Sequence, residues 1–150
     1  MKALYIILPL LLLLGCAGQQ IMPITETANN QAIAYSAGKL AGMGILKIAP
    51  VSDKELQEVF DKMMERNKDV DIIPSTEIVN YFNESVMVLT RYTKDPYGLI
   101  SDLSVILMIY GAQFDEAGNL FEIMPIPKSV VRFFGMGYDS GRAMILKGVL

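Results

Sequence analysis

Few side chains in this sequence could perform nucleophilic, acid–base or metal chemistry. The chain has no histidine, and Cys16 is its single cysteine. This composition excludes imidazole-based catalysis, disulfide frameworks and thiolate zinc sites. The sequence also has no phosphate-binding glycine loop, EF-hand pattern or other metal-ligand spacing. We therefore predict no catalytic residue, no metal site and no cofactor.

Carboxylates are the remaining candidates for acid–base chemistry. A glycosidase-like reaction needs two of them facing each other across a cleft, one with a raised pKa. Glu84 and Asp102 fit best, because each lies in an otherwise apolar segment. Two simpler explanations exist for these acids. Each forms an ion pair with a basic residue, the candidates being Lys39, Arg132 and Arg142, or it lies at an exposed edge.

The segment Ser36-Ala37-Gly38-Lys39 matches the S-x-x-K spacing of penicillin-recognising serine enzymes, in which the lysine helps to activate the serine. The companion S-D-N and K-T-G elements of those enzymes are missing. The chain is also too short for their fold. We therefore reject this chemistry.

Composition indicates one apolar domain. The chain has 150 residues, of which 52% are hydrophobic, so it is too apolar for a disordered tail. Its net charge of -3 and its pI near 4.9 provide no basic footprint for a phosphate backbone. Nucleic acid is therefore not an expected partner.

The first residues have the organisation of a secretory signal. Lys2 precedes an uninterrupted apolar run from Ala3 to Leu14, and a small residue and a cysteine follow it. The run has about twelve residues, whereas a membrane-spanning helix needs roughly twenty. We expect this segment to engage a translocon and to be cleaved.

The residues Leu13-Leu14-Gly15-Cys16 resemble the lipobox of bacterial lipoproteins. The resemblance implies that Cys16 becomes the first residue and carries two or three acyl chains, palmitate among them. Two chains hold a protein stably on a membrane. Ala17 at the next position implies sorting to the outer membrane, on its periplasmic face, if the host has two membranes. The alternative is an ordinary signal peptide with a chance cysteine.

Three segments follow from this interpretation. Residues 1–15 are the signal peptide, and residues 16–30 are the acylated N-terminus with a flexible tether, because they are polar and contain Pro23. Residues 31–150 form a helical domain. We predict a mainly α fold, a single small bundle of about five helices over 31–48, 52–67, 76–92, 97–110 and from Pro127 toward the C-terminus.

Local signals support several of these boundaries. Ser52 and Glu55 have the spacing of a capping box, and Asp95-Pro96 is typical of a helix start. Residues 105–110 are also compatible with a buried strand. Turn residues between apolar segments predict a short β-hairpin near 113–123, with a loop as the alternative.

Small residues recur in the first and last predicted helices. Gly38, Gly42 and Gly141 are the predicted helix-packing glycines. Gly38 and Gly42 continue a four-residue spacing of small residues, and the pattern Tyr-x-small-Gly-basic ends once at Lys39 and once at Arg142. We interpret this echo as close packing of the two helices. The alternatives are a paired basic site formed by Lys39 and Arg142, and a glycine stripe that contacts lipid or a second copy.

These observations favour a non-enzymatic binding or scaffold module in the bacterial cell envelope. Its predicted partners are the membrane, through the acyl chains on Cys16, and an envelope protein that contacts an apolar groove with methionines and tyrosines, or the C-terminal helix. The alternatives are an exclusion or immunity lipoprotein, phage-borne proteins included, and a small carboxylate-dependent cell-wall enzyme.

Overall fold

A computed structural model describes residues 24–99, 104 and 107–148 of the chain. The predicted signal peptide, Cys16 and Asp102 lie outside these residues. The described helices and strands, in chain order, are α1 (Ile24–Ile48), a 3-10 turn (Pro50–Ser52), α2 (Asp53–Arg66), β1 (Ile72–Ile73), α3 (Ser75–Thr90), α4 (Pro96–Leu99), β2 (Gln113–Phe114), β3 (Leu120–Glu122), β4 (Ile126–Pro127) and α5 (Lys128–Leu146).

The predicted fold class is confirmed. The molecule is a mainly α-helical small domain, and its strands form two short antiparallel pairs, β1 with β4 and β2 with β3. The β2–β3 pair is the hairpin predicted near 113–123, with Phe114 opposite Leu120. Asp115 holds its turn, because Oδ1 accepts hydrogen bonds from the backbone N–H groups of Ala117 and Asn119.

Helix α1 begins earlier than the sequence pattern indicated. It starts at Ile24, whereas we predicted a flexible tether as far as Asn30. Asn30 is buried, and its amide lies 3.2 Å from the hydroxyl of Tyr110, to which it donates. A contact this distant in sequence leaves no local signal, so the polar composition of the segment was misleading.

The predicted capping box at the start of α2 is wrong. The Ser52 hydroxyl donates to the carbonyl oxygen of Ala49 at 2.7 Å, and it does not cap the helix. Glu55 forms an ion pair with Arg91 and accepts a hydrogen bond from Tyr92. The 3-10 turn before α2 places Ser52 in a helical conformation, in which its side chain points back along the chain.

The start signal at Asp95-Pro96 is confirmed, because Asp95 Oδ1 accepts a hydrogen bond from the backbone N–H of Gly98. The described part of α4 is Pro96–Leu99, and residues 104 and 107–109 are helical as well. This favours the helical over the strand interpretation for the described part of 105–110. The rest of the helix predicted over 97–110 lies outside the described residues.

Helices α1 and α5 run parallel and contact each other backbone to backbone. A Cβ atom added to Gly38 would stand 2.0 Å from the carbonyl oxygen of Phe134, and one added to Gly42 would stand 2.3 Å from that of Tyr138. The contact is reciprocal, because Gly137 lies against the Tyr35 carbonyl and Gly141 against that of Lys39. Only glycine permits this approach. Gly38 contacts Phe134, and Gly42, four residues later, contacts Tyr138, which also lies four residues later. The two helices are therefore parallel.

The core lies between α1, α2, α3 and α5. Its most deeply buried members come from every helix of this group and from the strands, and they include Ala34, Met63, Ile73, Phe82, Leu89, Leu120 and Val130. Asn83 attaches the hairpin to α3, because its side-chain amide exchanges two hydrogen bonds with the backbone of Leu120. Among the described residues, no helix has the length and apolar character needed to cross a bilayer.

Candidate functional site

A half-open cavity of about 390 Å³ lies between α2, α3 and α5. We call it the α2–α5 groove. Pockets of this size, apolar with a few polar groups, are typical of ligand and side-chain binding sites. Its lining consists of Gln57, Phe60, Asp61, Tyr81, Arg132, Phe134, Gly135, Met136, Tyr138 and Asp139.

The floor of the groove is aromatic. Phe60 and Tyr81 meet edge to face, with ring centroids 5.8 Å apart and an interplanar angle of 72°. A smaller apolar void of about 30 Å³ shares Phe60, Tyr81 and Phe134 with the groove and continues toward the core at Met63 and beyond. The groove therefore presents a deep apolar surface to whatever enters it.

A glycine makes room for this floor. A Cβ atom added to Gly135 would stand 2.8 Å from the tip of the Phe60 ring. A glycine in the middle of a helix normally weakens it. The structure supplies the reason for the residue, because the ring occupies the space that a side chain would need.

The rim of the groove is charged. Asp61, Arg132 and Asp139 are all exposed there. Asp139 lies 3.5 Å from Arg142. Within the described part of the chain, Arg132 and Asp61 form no ion pair. An apolar floor with a charged rim fits a protein surface that inserts an apolar side chain and surrounds it with polar contacts.

A buried ionic network closes one end of the groove. Arg142 donates to Asp53 through Nη2 at 2.7 Å and through Nε at 2.9 Å, and the Tyr138 hydroxyl donates to the same carboxylate at 2.9 Å. The Gln57 amide lies against both Asp53 and Arg142. The network joins the beginning of α2 to the middle of α5, and so fixes one wall of the groove relative to the other.

Asp53 was not among the residues predicted from the sequence to contribute to a site. As the first residue of α2, its carboxylate is favoured by the positive end of the helix dipole. That position was the only local signal. The tyrosine and arginine of the repeated pattern, Tyr138 and Arg142, converge on this acid.

Arg142 is therefore not half of a paired basic site. Asp53 balances its charge, and the side chain of Lys39 is only half-buried on the other helix. The repeated pattern corresponds instead to the α1–α5 contact, in which Gly141 lies against the Lys39 backbone.

The remaining predicted residues fall in separate places. Glu84 is exposed on α3, which is one of the two alternatives predicted for it, and it does not line the groove. Arg142 pairs with Asp53. Ser36 is exposed on α1, and its hydroxyl donates to the Ala32 carbonyl. Cys16 and Asp102 lie outside the described residues.

Comparison of the chain with protein-family models, with curated proteins and with solved structures finds no match. The function must therefore be inferred from the groove, from the helix surfaces and from the N-terminal motif.

Two tyrosines beside the groove should make the domain sensitive to alkali. Burial raises the pKa of Tyr81 to about 12, and burial together with the Asp53 carboxylate raises the pKa of Tyr138. Above about pH 10 the unfolded chain loses these protons while the folded chain keeps them. We expect the free energy of unfolding to fall from about pH 10 upward, by at most about 1.4 kcal/mol per pH unit for each tyrosine.

Urea unfolding at several pH values between about pH 8 and pH 11 measures this slope. In Tyr81→Phe the decline should be shallower than in the unmodified protein, because one of the two groups no longer titrates. Equal slopes in the two proteins would show that the Tyr81 hydroxyl ionises as freely in the folded state as in the unfolded state.

Proposed function

We propose that this chain is a bacterial lipoprotein whose helical domain is a non-enzymatic binding module of the cell envelope. The α2–α5 groove receives an apolar side chain of an envelope protein. The observation that carries the proposal is the groove itself, a half-open cavity of about 390 Å³ with an aromatic floor and charged residues at its rim. The N-terminal lipobox supplies the location.

The anchor follows from the motif around Cys16. Acyl chains on this residue would hold the domain at a membrane surface, which in a host with two membranes is the periplasmic face of the outer membrane. A module confined to a surface meets its partners at high effective concentration. A groove of moderate affinity is sufficient for that situation.

The polar groups around the groove favour binding over catalysis. Asp53 accepts hydrogen bonds from two neighbours, Tyr138 and Arg142, and this arrangement holds two helices together. The charged side chains at the rim are exposed, and such groups supply contact specificity at interfaces. Glu84, the described member of the carboxylate pair considered above, lies outside the groove.

Site-specific photocrosslinking in the native membrane tests the groove. A photoreactive amino acid replaces Met136, which is 57% exposed and lines the groove, or Met87, which is 69% exposed and does not line it. We expect Met136 to yield one dominant envelope protein and Met87 to yield little of it. Both positions are exposed methionines, so the folding of the two variants should be equally unaffected.

Capture of the same protein with equal yield from both positions would show that contact is not confined to the groove. Capture of nothing from Met136 in cells that produce the lipidated protein would contradict the binding-module proposal. Tyr81→Ala, combined with the photoreactive amino acid at position 136, provides a further control. It removes part of the aromatic floor of the groove and should reduce the yield of the crosslinked protein.

A further inference from the structure

The outward face of α1 is apolar and carries almost no charge. Ile33, Leu40 and Ile48 are 39%, 53% and 62% exposed. From Asn29 onward, the other residues of this face are uncharged or basic, and they are Asn29, Ala32, Ser36, Met43, Gly44 and Lys47. A helix on the surface of a water-soluble domain normally has its polar residues on this side. Helix α1 therefore has apolar side chains where contact with water would be expected.

From Ala28 to its end, α1 carries charges of one sign only, and its acidic residue Glu26 lies at its beginning. No acidic residue occurs between Glu26 and Asp53, whereas Lys39 and Lys47 lie in that interval. The exposed face of α2 is different, because it mixes both signs through Lys54, Glu58 and Lys62 among others. In a chain with a net charge of -3, a basic and apolar helix face is a local exception. It is complementary to an anionic surface.

The position of α1 in the chain brings this face close to the predicted anchor. Residues 17–23 separate Cys16 from Ile24, the first residue of α1. Even a fully extended connection of that length spans only about 28 Å. The helix has 25 residues and is about 37 Å long. An acylated Cys16 would thus keep the beginning of α1 within reach of the bilayer surface.

We propose that the outward face of α1 lies along the surface of an anionic bilayer, with Ile33, Leu40 and Ile48 in the interface and Lys47 near lipid phosphates. The inference rests on the proposed function, because it takes the anchor at Cys16 as its starting point. No residue of α1 lines the α2–α5 groove. Docking on lipid through α1 therefore leaves the groove open to a partner protein.

A fluorophore at a single position reports whether this face meets lipid. A thioether bond to the glyceryl group of the lipid occupies the sulfur of Cys16, so an introduced cysteine is the only free thiol in the lipidated protein. We use Leu40→Cys on α1 and Glu58→Cys on the exposed face of α2 as the matched control. Each variant carries a nitrobenzoxadiazole label and is reconstituted in vesicles of phosphatidylethanolamine and phosphatidylglycerol, or of phosphatidylcholine alone.

We expect the label at position 40 to be quenched by spin-labelled lipid and protected several-fold from aqueous acrylamide in the anionic vesicles. The label at position 58 should stay accessible to acrylamide. Lys47→Gln in the Leu40→Cys background should shift the equilibrium between the lipid-bound and free states of the face by about fivefold. Acylation should be unchanged in this variant, because Lys47 is far from Cys16 in the sequence.

Equal acrylamide quenching at positions 40 and 58 in acylated protein would overturn the proposal. Protection of position 40 in detergent that increases with protein concentration would also overturn it, and would assign the face to a second copy of the chain. The mass of the purified protein distinguishes these results from failure of the anchor. If the purified protein lacks the mass of the acyl chains at Cys16, the proposed lipoprotein is refuted. If, in addition, the label at position 40 stays accessible to acrylamide when anionic vesicles are added, both proposals are refuted.

Discussion

Gly38→Ala is expected to lower the free energy of unfolding by about 2 kcal/mol, although alanine is the better helix former by about 1 kcal/mol. The new Cβ atom would stand 2.0 Å from the carbonyl oxygen of Phe134. A backbone atom cannot rotate away as a flexible side chain can, so α1 and α5 must move apart. The network at Tyr138 and Arg142 on α5 would move with them.

Ser36→Ala provides the matched control, because it makes an alanine on the exposed face of the same helix. It should leave stability unchanged or raise it slightly. Gly141→Ala should behave like Gly38→Ala, since its Cβ atom would stand 2.1 Å from the Lys39 carbonyl oxygen. Urea unfolding monitored by circular dichroism measures all three variants. A Gly38→Ala protein as stable as Ser36→Ala would refute the close α1–α5 contact.

Asp53→Ala is expected to lower the free energy of unfolding by about 2–3 kcal/mol. The Asp53 side chain is 10% exposed and that of Arg142 is 24% exposed, so removal of the acid leaves a largely buried guanidinium without its partner. The Tyr138 hydroxyl loses its acceptor as well. The loss comes mainly from the uncompensated charge of Arg142, which must be hydrated or displaced.

An exposed ion pair at the end of the same helix, between Glu65 on α2 and Lys68 in the turn that follows it, isolates the effect of burial. Glu65 and Lys68 are 2.9 Å apart, and their side chains are 73% and 62% exposed. Glu65→Ala should change stability by less than about 0.5 kcal/mol. Asp53→Ala combined with Arg142→Met should recover part of the loss, because no unpaired charge then remains. If Asp53→Ala and Glu65→Ala had the same small effect, the network would not hold the groove wall.

The helical pattern of the chain was predictable because its main signals are local. The apolar spacing of α2, from Leu56 through Val59 to Met63, depends on the period of one helix. The start at Asp95-Pro96 and the hairpin turn at Asp115 depend on contacts over only a few residues. Each of these features is therefore determined by residues that are close to it in the sequence.

The groove was predictable only in character. Methionines and tyrosines indicated an adaptable apolar surface, and Met136, Tyr81 and Tyr138 do line the groove. Its position depends on Phe60 meeting Tyr81 and on Gly135 leaving space for the ring, contacts between residues far apart in sequence. No period or short motif encodes such a contact.

The errors have the same origin. Asn30 and Ser52 were assigned to a tether and to a cap from their local sequence, but each follows a partner elsewhere, the Tyr110 hydroxyl for Asn30 and the Ala49 carbonyl for Ser52. Asp53 was missed because its partners lie on α5. The roles of polar residues were the hardest to predict from the sequence, because a short segment does not show which partner each side chain binds.

Metabolic labelling with an alkyne analogue of palmitate tests the central claim, a lipid-anchored binding module, most directly. Cells producing the unmodified chain are compared with cells producing Cys16→Ser. We expect a labelled, membrane-bound protein in the first case and an unlabelled, unprocessed chain in the second. A Cys16→Ser protein that is still labelled, or an unmodified protein that carries no label, would contradict it.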